Sequence, residues 1–161
     1  MQITRKGVST PVEGTLPTPG TKAPHFKLVN LDDVNVTNDD FLGNTTIISV
    51  FPDINTSVCD RQTRHFFELA SEIKDVTIVN VSNNKKEDLT DWCATNGITT
   101  TMLRDNDGTF GKDYGLWMPE FKVLARSIFV LNEHGDLIYS ELVPEMAQEP
   151  NYEAALAAAG K

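Results

Sequence analysis

An apolar run that stops at a proline constrains this chain more than any other feature. Thr46-Ile47-Ile48-Ser49-Val50-Phe51 reads as a buried strand, and Pro52 bounds it. Residues 59–73 have helical character, so Cys59 falls in the first turn of a helix, just past the carboxyl end of a core strand. Unpaired backbone amides and the positive end of the helix dipole stabilise an anion there, which favours thiolate over thiol. The other cysteine, Cys93, lies 93 − 59 = 34 positions later, in a second helical stretch. A strand, a break and a helix that starts on a cysteine point to cysteine redox chemistry on an α/β framework.

Bulk properties narrow the classes. With 161 residues, 40% of them apolar, residues 1–161 fit one domain with a real core. There is no internal repeat and no apolar run of membrane-spanning length. Met1 to Lys6 carries charge with no apolar segment behind it, so no secretory signal is expected and the expected location is cytoplasmic. A formal charge of −9 would repel nucleic acid and anionic membrane. In a reducing compartment two cysteines are packing residues or reactive thiols, and composition alone leaves both open.

The order of elements follows from periodicity and turn chemistry. Residues 1–16 suggest an N-terminal β-hairpin with a turn at Lys6-Gly7, followed by a Pro17-Thr18-Pro19-Gly20 linker. A strand is expected within Gly20–Val29, a short turn or helix at Asn38-Asp39-Asp40, and the strand 45–51. On the helix 59–73, Phe66, Phe67, Ala70 and Ile73 are expected to form the apolar face. Val76–Val81 is the next strand, 86–96 a helix closed by Gly97, and 104–115 a polar turn carrying Phe110 and Tyr114. Ser127–Leu131 and Leu137–Val143 form a hairpin. Asn151 caps a last helix with Tyr152, Leu156 and Ala159 inward. Strands alternate with helices and end in a hairpin and a helix, which implies an α/β sandwich around a central mixed sheet flanked by helices. That is the order of the thioredoxin fold with an N-terminal addition.

The pattern Pro52-x-x-x-Thr56-x-x-Cys59 resembles the active-site motif of the peroxiredoxin family, whose cysteine attacks a peroxide oxygen. Gly20-x-x-Ala23-Pro24-x-Phe26 resembles the family's entry strand, and Arg126 stands before a core strand where the family places a second active-site residue. The cysteine spacing, the N-terminal hairpin and Tyr139-Ser140-Glu141-Leu142-Val143-Pro144-Glu145 are similar to the bacterial thiol peroxidase subgroup. The resemblance covers nearly the whole chain. It implies reduction of hydrogen peroxide and organic (alkyl) hydroperoxides with no cofactor and no metal. It also implies a peroxidatic Cys59, a resolving Cys93, an intrachain Cys59–Cys93 disulfide recycled by thioredoxin, and a homodimer.

Chemistry explains these residue types. The thiolate displaces RO⁻ from the distal peroxide oxygen, so charge moves from sulfur to oxygen. Thr56 can accept from one neighbour while its hydroxyl donates to sulfur or peroxide. Arg126 supplies a permanent cation with donors in a fixed fork, and Pro52 shields the sulfur without offering an N–H. Lowering a generic thiol from ~8.5 to ~6 raises its thiolate fraction at pH 7 about 30-fold. The weaker base loses roughly 10-fold as a nucleophile at a slope of ~0.4–0.5. Only a few-fold remains, so fast peroxide reduction must rest on donors aimed at the developing oxyanion, each worth ~2.7–4 kcal/mol. Phe51, Val58, Trp117 and Met118 are candidate pocket residues that are equally core residues by type.

Within the family the place of the partner thiol distinguishes subgroups. Position 64 is Arg and the C-terminal tail has no cysteine, which leaves the 34-residue separation. The two cysteines stand on separate helices, so local unravelling is expected before they join. The subgroup usually shows Arg-Phe-Cys where this chain has Asp91-Trp92-Cys93, a loss of positive charge expected to raise the Cys93 pKa or weaken reductant docking. Other readings fare worse. The cysteines and His25, His65 and His134 lack metal-ligand spacing, and Gln62 occupies the second position of a Cys-x-x-Cys pair. His65, about 240° around the helix from Cys59, is a poor base for that thiol. Asp105-Asn106-Asp107-Gly108 brings its glycine too early for a calcium loop. A non-catalytic redox sensor or thioredoxin-like interaction protein using the same two cysteines is the rival from another class.

Overall fold

The computed structural model describes residues Met1–Lys161. A seven-stranded mixed sheet runs in the order β11-β10-β5-β6-β7-β3-β4. Its strands are β3 (Lys27–Val29), β4 (Asn35–Thr37), β5 (Thr45–Val50), β6 (Val76–Ser82), β7 (Thr101–Arg104), β10 (Ser127–Leu131) and β11 (Leu137–Leu142). Strands β5, β6 and β7 are parallel, and antiparallel pairs complete both sides. The central strands are the branched, apolar runs, buried on both faces as parallel strands must be.

Side-chain alternation sorts the core into two faces. Ile48, Val50, Val79, Val81, Phe129 and Leu131 point to one. That face is covered by the hairpin β1 (Gln2–Arg5) and β2 (Val8–Pro11), by α3 (Thr109–Asp113), and by the ribbon β8 (Trp117–Met118) and β9 (Val123–Leu124). Ile47, Ile78, Ile128 and Val130 point to the other, against Phe66 of α1 (Ser57–Glu72) and Ala155 of α4 (Tyr152–Ala158). Helix α2 (Lys86–Asn96) joins Leu89 and Trp92 to Phe51, Ile54, Cys59 and Met102 in a third apolar cluster.

Several expectations meet a different outcome. Helix α1 begins at Ser57, and its buried stripe is Cys59, Gln62, Thr63 and Phe66, while Ala70 is exposed and Phe67 and Ile73 are only partly covered. The stripe follows helical spacing but carries two polar residues, which a search for apolar periodicity passes over. Thr101–Arg104 is a strand, hidden in sequence by three consecutive threonines and its four-residue length. Within 104–115 a short helix places the rings of Phe110 and Tyr114 in a stack 4.3 Å apart. The final helix is capped as expected, the Asn151 side chain accepting from the Ala154 amide at 3.0 Å, but its one fully buried residue is Ala155, while Tyr152, Leu156 and Ala159 are partly covered.

Candidate active site

Strand pairing brings the site together. Ser127, the first residue of β10, pairs with Val50, the last of β5, so Arg126 stands beside the segment that leaves β5 for α1. That segment is pinned at several points. The Phe51 amide donates to the Val81 carbonyl at 3.1 Å, and Pro52 has no amide to satisfy. The Ile54 amide donates to Asn84 Oδ1 at 3.0 Å, and Asn84 Nδ2 donates to Asp53 Oδ1 at 2.9 Å. The Thr56 amide donates to the Asp53 carbonyl at 3.0 Å, closing the turn. Thr56 then takes the extended conformation of a helix N-cap, with φ −97° and ψ 151°.

Cys59, the third residue of α1, is fully buried, and its backbone amide belongs to the turn that lacks intrahelical acceptors. Arg126 Nη1 donates to Cys59 Sγ at 3.3 Å and to Gln62 Oε1 at 2.6 Å. Arg126 Nη2 donates to the Met146 carbonyl at 2.9 Å, and Nε is buried without a partner. No carboxylate forms an ion pair with Arg126, although only 2% of its surface is exposed. A buried guanidinium is usually matched by an anion. Here its neighbours are a carbonyl, an amide and a sulfur, an arrangement complementary to an anionic sulfur or oxygen.

In the sequence Gln62 stands out only as the residue that breaks a Cys-x-x-Cys pair. Fully buried one turn after Cys59, it donates through Nε2 to Ser49 Oγ at 2.7 Å and to the Val50 carbonyl at 3.2 Å. Those two bonds orient its oxygen toward Arg126. The available signal was a polar residue at i+3 from Cys59, on the helix face that also carries Phe66. Met146 contributes a backbone oxygen, for which side-chain identity gives no signal.

A cavity of about 220 Å³ opens on Pro52, Thr56, Val58 and Arg126. Met146 and Ala147 supply further lining, and Arg5 and Lys6 of the hairpin complete it. Of the four candidate pocket residues, Val58 lines this cavity and the others do not. Phe51 continues the alternation of β5 into the core beside Cys59, and Met118 is buried in the main core by the β8–β9 ribbon. Trp117 borders a different, more polar cavity of about 470 Å³ between the loop after β6 and Asp105–Gly108, which shares no lining residue with the one at Arg126; Cys59 itself lines neither and lies buried against the Arg126 guanidinium. The Thr56 hydroxyl donates to the Asp53 carbonyl at 2.8 Å and not to sulfur. Its oxygen keeps lone pairs to accept a peroxide O–H.

Cys93 lies half-buried on α2, packed against the same apolar cluster that contains Cys59, and both cysteines are free thiols. Burial pushes the Cys93 thiol above its ordinary value. The His65 ring stacks on Tyr152 at 3.9 Å, a packing role on the side of α1 away from the sulfur.

Fold and site together define a thioredoxin-like α/β protein with one buried cysteine at a helix start under an unpaired arginine. The AhpC/TSA family model matches residues 19–140, most of the chain. The thiol peroxidase of Listeria innocua is 42% identical over 162 residues, covering 99% of this chain and 98% of that one. The thiol peroxidase of Bacillus subtilis is 38% identical over 160 residues, covering 98% and 96%. The chain belongs to the AhpC/TSA family of peroxiredoxins and falls among its thiol peroxidase relatives. Among solved structures, a peroxiredoxin-like protein from Aquifex aeolicus superposes with a TM-score of 0.88 at 24% identity, covering 99% of this chain and 95% of that one. Mycobacterium tuberculosis AhpC superposes with 0.79 at 19%, covering 91% and 93%, and both likenesses speak to the fold.

Proposed function

We propose that this protein is a cysteine peroxidase that reduces hydrogen peroxide and organic hydroperoxides through Cys59 and regenerates through Cys93. The observation that carries the reading is Arg126, buried without a carboxylate, with Nη1 3.3 Å from Cys59 Sγ. A peroxide that enters by the cavity meets Thr56, which accepts its O–H, and passes the Arg126 guanidinium to bring its distal oxygen to the Cys59 sulfur buried against it. Sulfur attacks, the O–O bond breaks, and the leaving RO⁻ takes a proton to become alcohol or water. Negative charge moves onto oxygen during this step, and Arg126 and the amides at the start of α1 face that charge. Pro52 limits water at the sulfur without competing as a donor. Cys59 is left as sulfenic acid.

The Cys93 thiol then attacks the Cys59 sulfur. The S–S bond forms, the S–O bond breaks, and hydroxide leaves with the thiol proton as water. Cys59 has no exposed surface and Cys93 lies on another helix, so this step follows local opening of the first turn of α1 and of α2 near Cys93. Thioredoxin as reductant, a homodimeric state and a cytoplasmic location complete the reading on the strength of the family relationship.

The test is thioredoxin-coupled consumption of cumene hydroperoxide by wild type, Cys59→Ser and Cys93→Ser. Repeated turnover by wild type, none by Cys59→Ser and one equivalent consumed by Cys93→Ser is the expected pattern. Sustained turnover by Cys59→Ser would overturn the site. A wild type that reacts once and stops would make the protein a redox sensor instead.

A further inference from the structure

The residue after Cys59 and the residue before Cys93 are bonded to each other. Trp92 Nε1 donates to Asp60 Oδ1 at 2.8 Å. The second oxygen of Asp60 accepts from Arg64 Nε at 2.8 Å, and Arg64 reaches across to the Asn96 side-chain oxygen. Asn96 Nδ2 donates back to the Trp92 carbonyl at 2.8 Å. The Arg64 guanidinium lies 5.8 Å from the Trp92 ring centroid. Four side chains, with the ring closed through the Trp92 backbone carbonyl, therefore tie the first turns of α1 to the last turns of α2.

We propose that Asp60, Arg64, Trp92 and Asn96 form a latch that sets the rate of disulfide formation without affecting peroxide attack. The inference rests on the Cys59–Cys93 cycle proposed above. None of the four lines the cavity against Arg126, and none of their side chains hydrogen-bonds to Thr56, Cys59 or Arg126. Cys93 lies between Trp92 and Asn96, so α2 cannot unwind around it while the ring is closed, and the same ring fixes Asp60, the residue that follows Cys59. Asp60 and Arg64 remain partly open to solvent, and Leu89 and Trp92 are the only buried residues of α2. The carboxyl-terminal half of α2 is thus held by burial of Trp92 together with this partly solvent-exposed ring, and the ring is the part that water can compete for.

The other end of α2 is fixed independently. Lys86 Nζ donates to Asp33 Oδ2 at 2.7 Å, and the buried Arg104 donates to Asp33 Oδ1 at 2.8 Å. When the ring breaks, the end carrying Cys93 is released and the end carrying Lys86 stays anchored. Gly97, left-handed at φ 64°, already closes the released end. A closed latch prolongs the life of the Cys59 sulfenic acid, and a second peroxide can then carry it to sulfinic acid before Cys93 arrives. The latch and the peroxide concentration together decide between the disulfide and the sulfinic acid.

The test is a quenched-flow single turnover with one equivalent of cumene hydroperoxide. Intact mass and peptide mapping follow sulfenic acid and disulfide separately in wild type, Arg64→Gln and Trp92→Phe. Loss of one such bond is expected to speed disulfide formation about 3- to 10-fold while the oxidation rate stays within about 2-fold of wild type. The peroxide concentration that half-converts Cys59 to sulfinic acid is expected to rise by the same factor. Arg64 is half-exposed, so Arg64→Gln keeps the test valid if Trp92→Phe loosens the fold. Simple destabilisation would lower the melting temperature without separating the two rates. Disulfide formation unchanged or slowed in both variants overturns the latch. Wild type that forms no Cys59–Cys93 disulfide overturns the cycle on which it rests.

Discussion

Arg126 holds a charge in a place that ordinarily excludes one, and the residues around it explain how. Gln62 Oε1 and the Met146 carbonyl accept from its two terminal nitrogens, which fixes the fork while leaving its charge uncancelled. Arg126→Met is expected to cost roughly 10²–10³ in the rate constant for peroxide, the range found when an oxyanion donor is lost. Gln62→Leu keeps the cation but frees the fork, and about a 10-fold loss is expected, in line with one hydrogen bond to a charged group. Stopped-flow oxidation of each variant measures both. Cys93 titrates differently, because burial raises its thiol above the ordinary value. Its contribution to the closed conformation is complete below the ordinary thiol value and is lost as pH rises through the raised value. Alkylation of Cys93 in the folded protein is therefore expected to lag that of a free thiol near the ordinary value, with the gap closing in urea. Peptide mapping after timed iodoacetamide exposure reads this directly.

At the scale of elements, the strand–proline–helix sequence was legible because each signal was strong and local: a branched apolar run, a proline and an amphipathic segment. The Cys59–Arg126 contact depends instead on which residues of β5 and β10 pair. The Ser127–Val50 register arises from pairing over a long sequence separation. The role of Gln62 was illegible because apolar periodicity ranks Phe67 and Ala70 as core residues and leaves a glutamine outside. Phe66 is legible because it is both apolar and on the buried stripe. Thr56 separates cap from chemistry. Its side chain makes no capping bond to α1, so Thr56→Val is expected to lower stability by less than about 1 kcal/mol. The same change removes the acceptor for the peroxide O–H and is expected to slow oxidation by at least about 10-fold. Urea unfolding beside stopped-flow oxidation measures the two effects. A large stability loss with normal oxidation would assign Thr56 to the helix alone.

Over the whole molecule, the amino-terminal hairpin is structurally connected to Arg126. The Thr4 amide donates to the Pro144 carbonyl and the Met146 amide to the Thr4 carbonyl, both at 2.8 Å. The Glu145 carboxylate accepts from the Ala147 and Gly7 amides, at 2.7 and 3.0 Å, and those bonds hold its carboxyl below the usual carboxylate range. The segment thus clamped is the one whose Met146 carbonyl receives Arg126 Nη2. Ile3 and Val12 are buried in the largest core cluster. Ile3→Ala is expected to cost about 2–5 kcal/mol in urea unfolding, where a detached arm would cost almost nothing. The hairpin itself was legible from its turn residues, but its attachment to Glu145 joins the two ends of the chain and has no local signature. The central claim is that peroxide oxidises Cys59 and that Cys93 captures the product within one chain. Intact mass spectrometry after one equivalent of cumene hydroperoxide tests it most directly. Wild type is predicted to lose two hydrogens with Cys59 and Cys93 joined in one peptide pair. Cys93→Ser is predicted to gain one oxygen, and Cys59→Ser to remain unchanged. An oxygen gained by Cys59→Ser, or a wild-type disulfide found only between chains, would contradict the account.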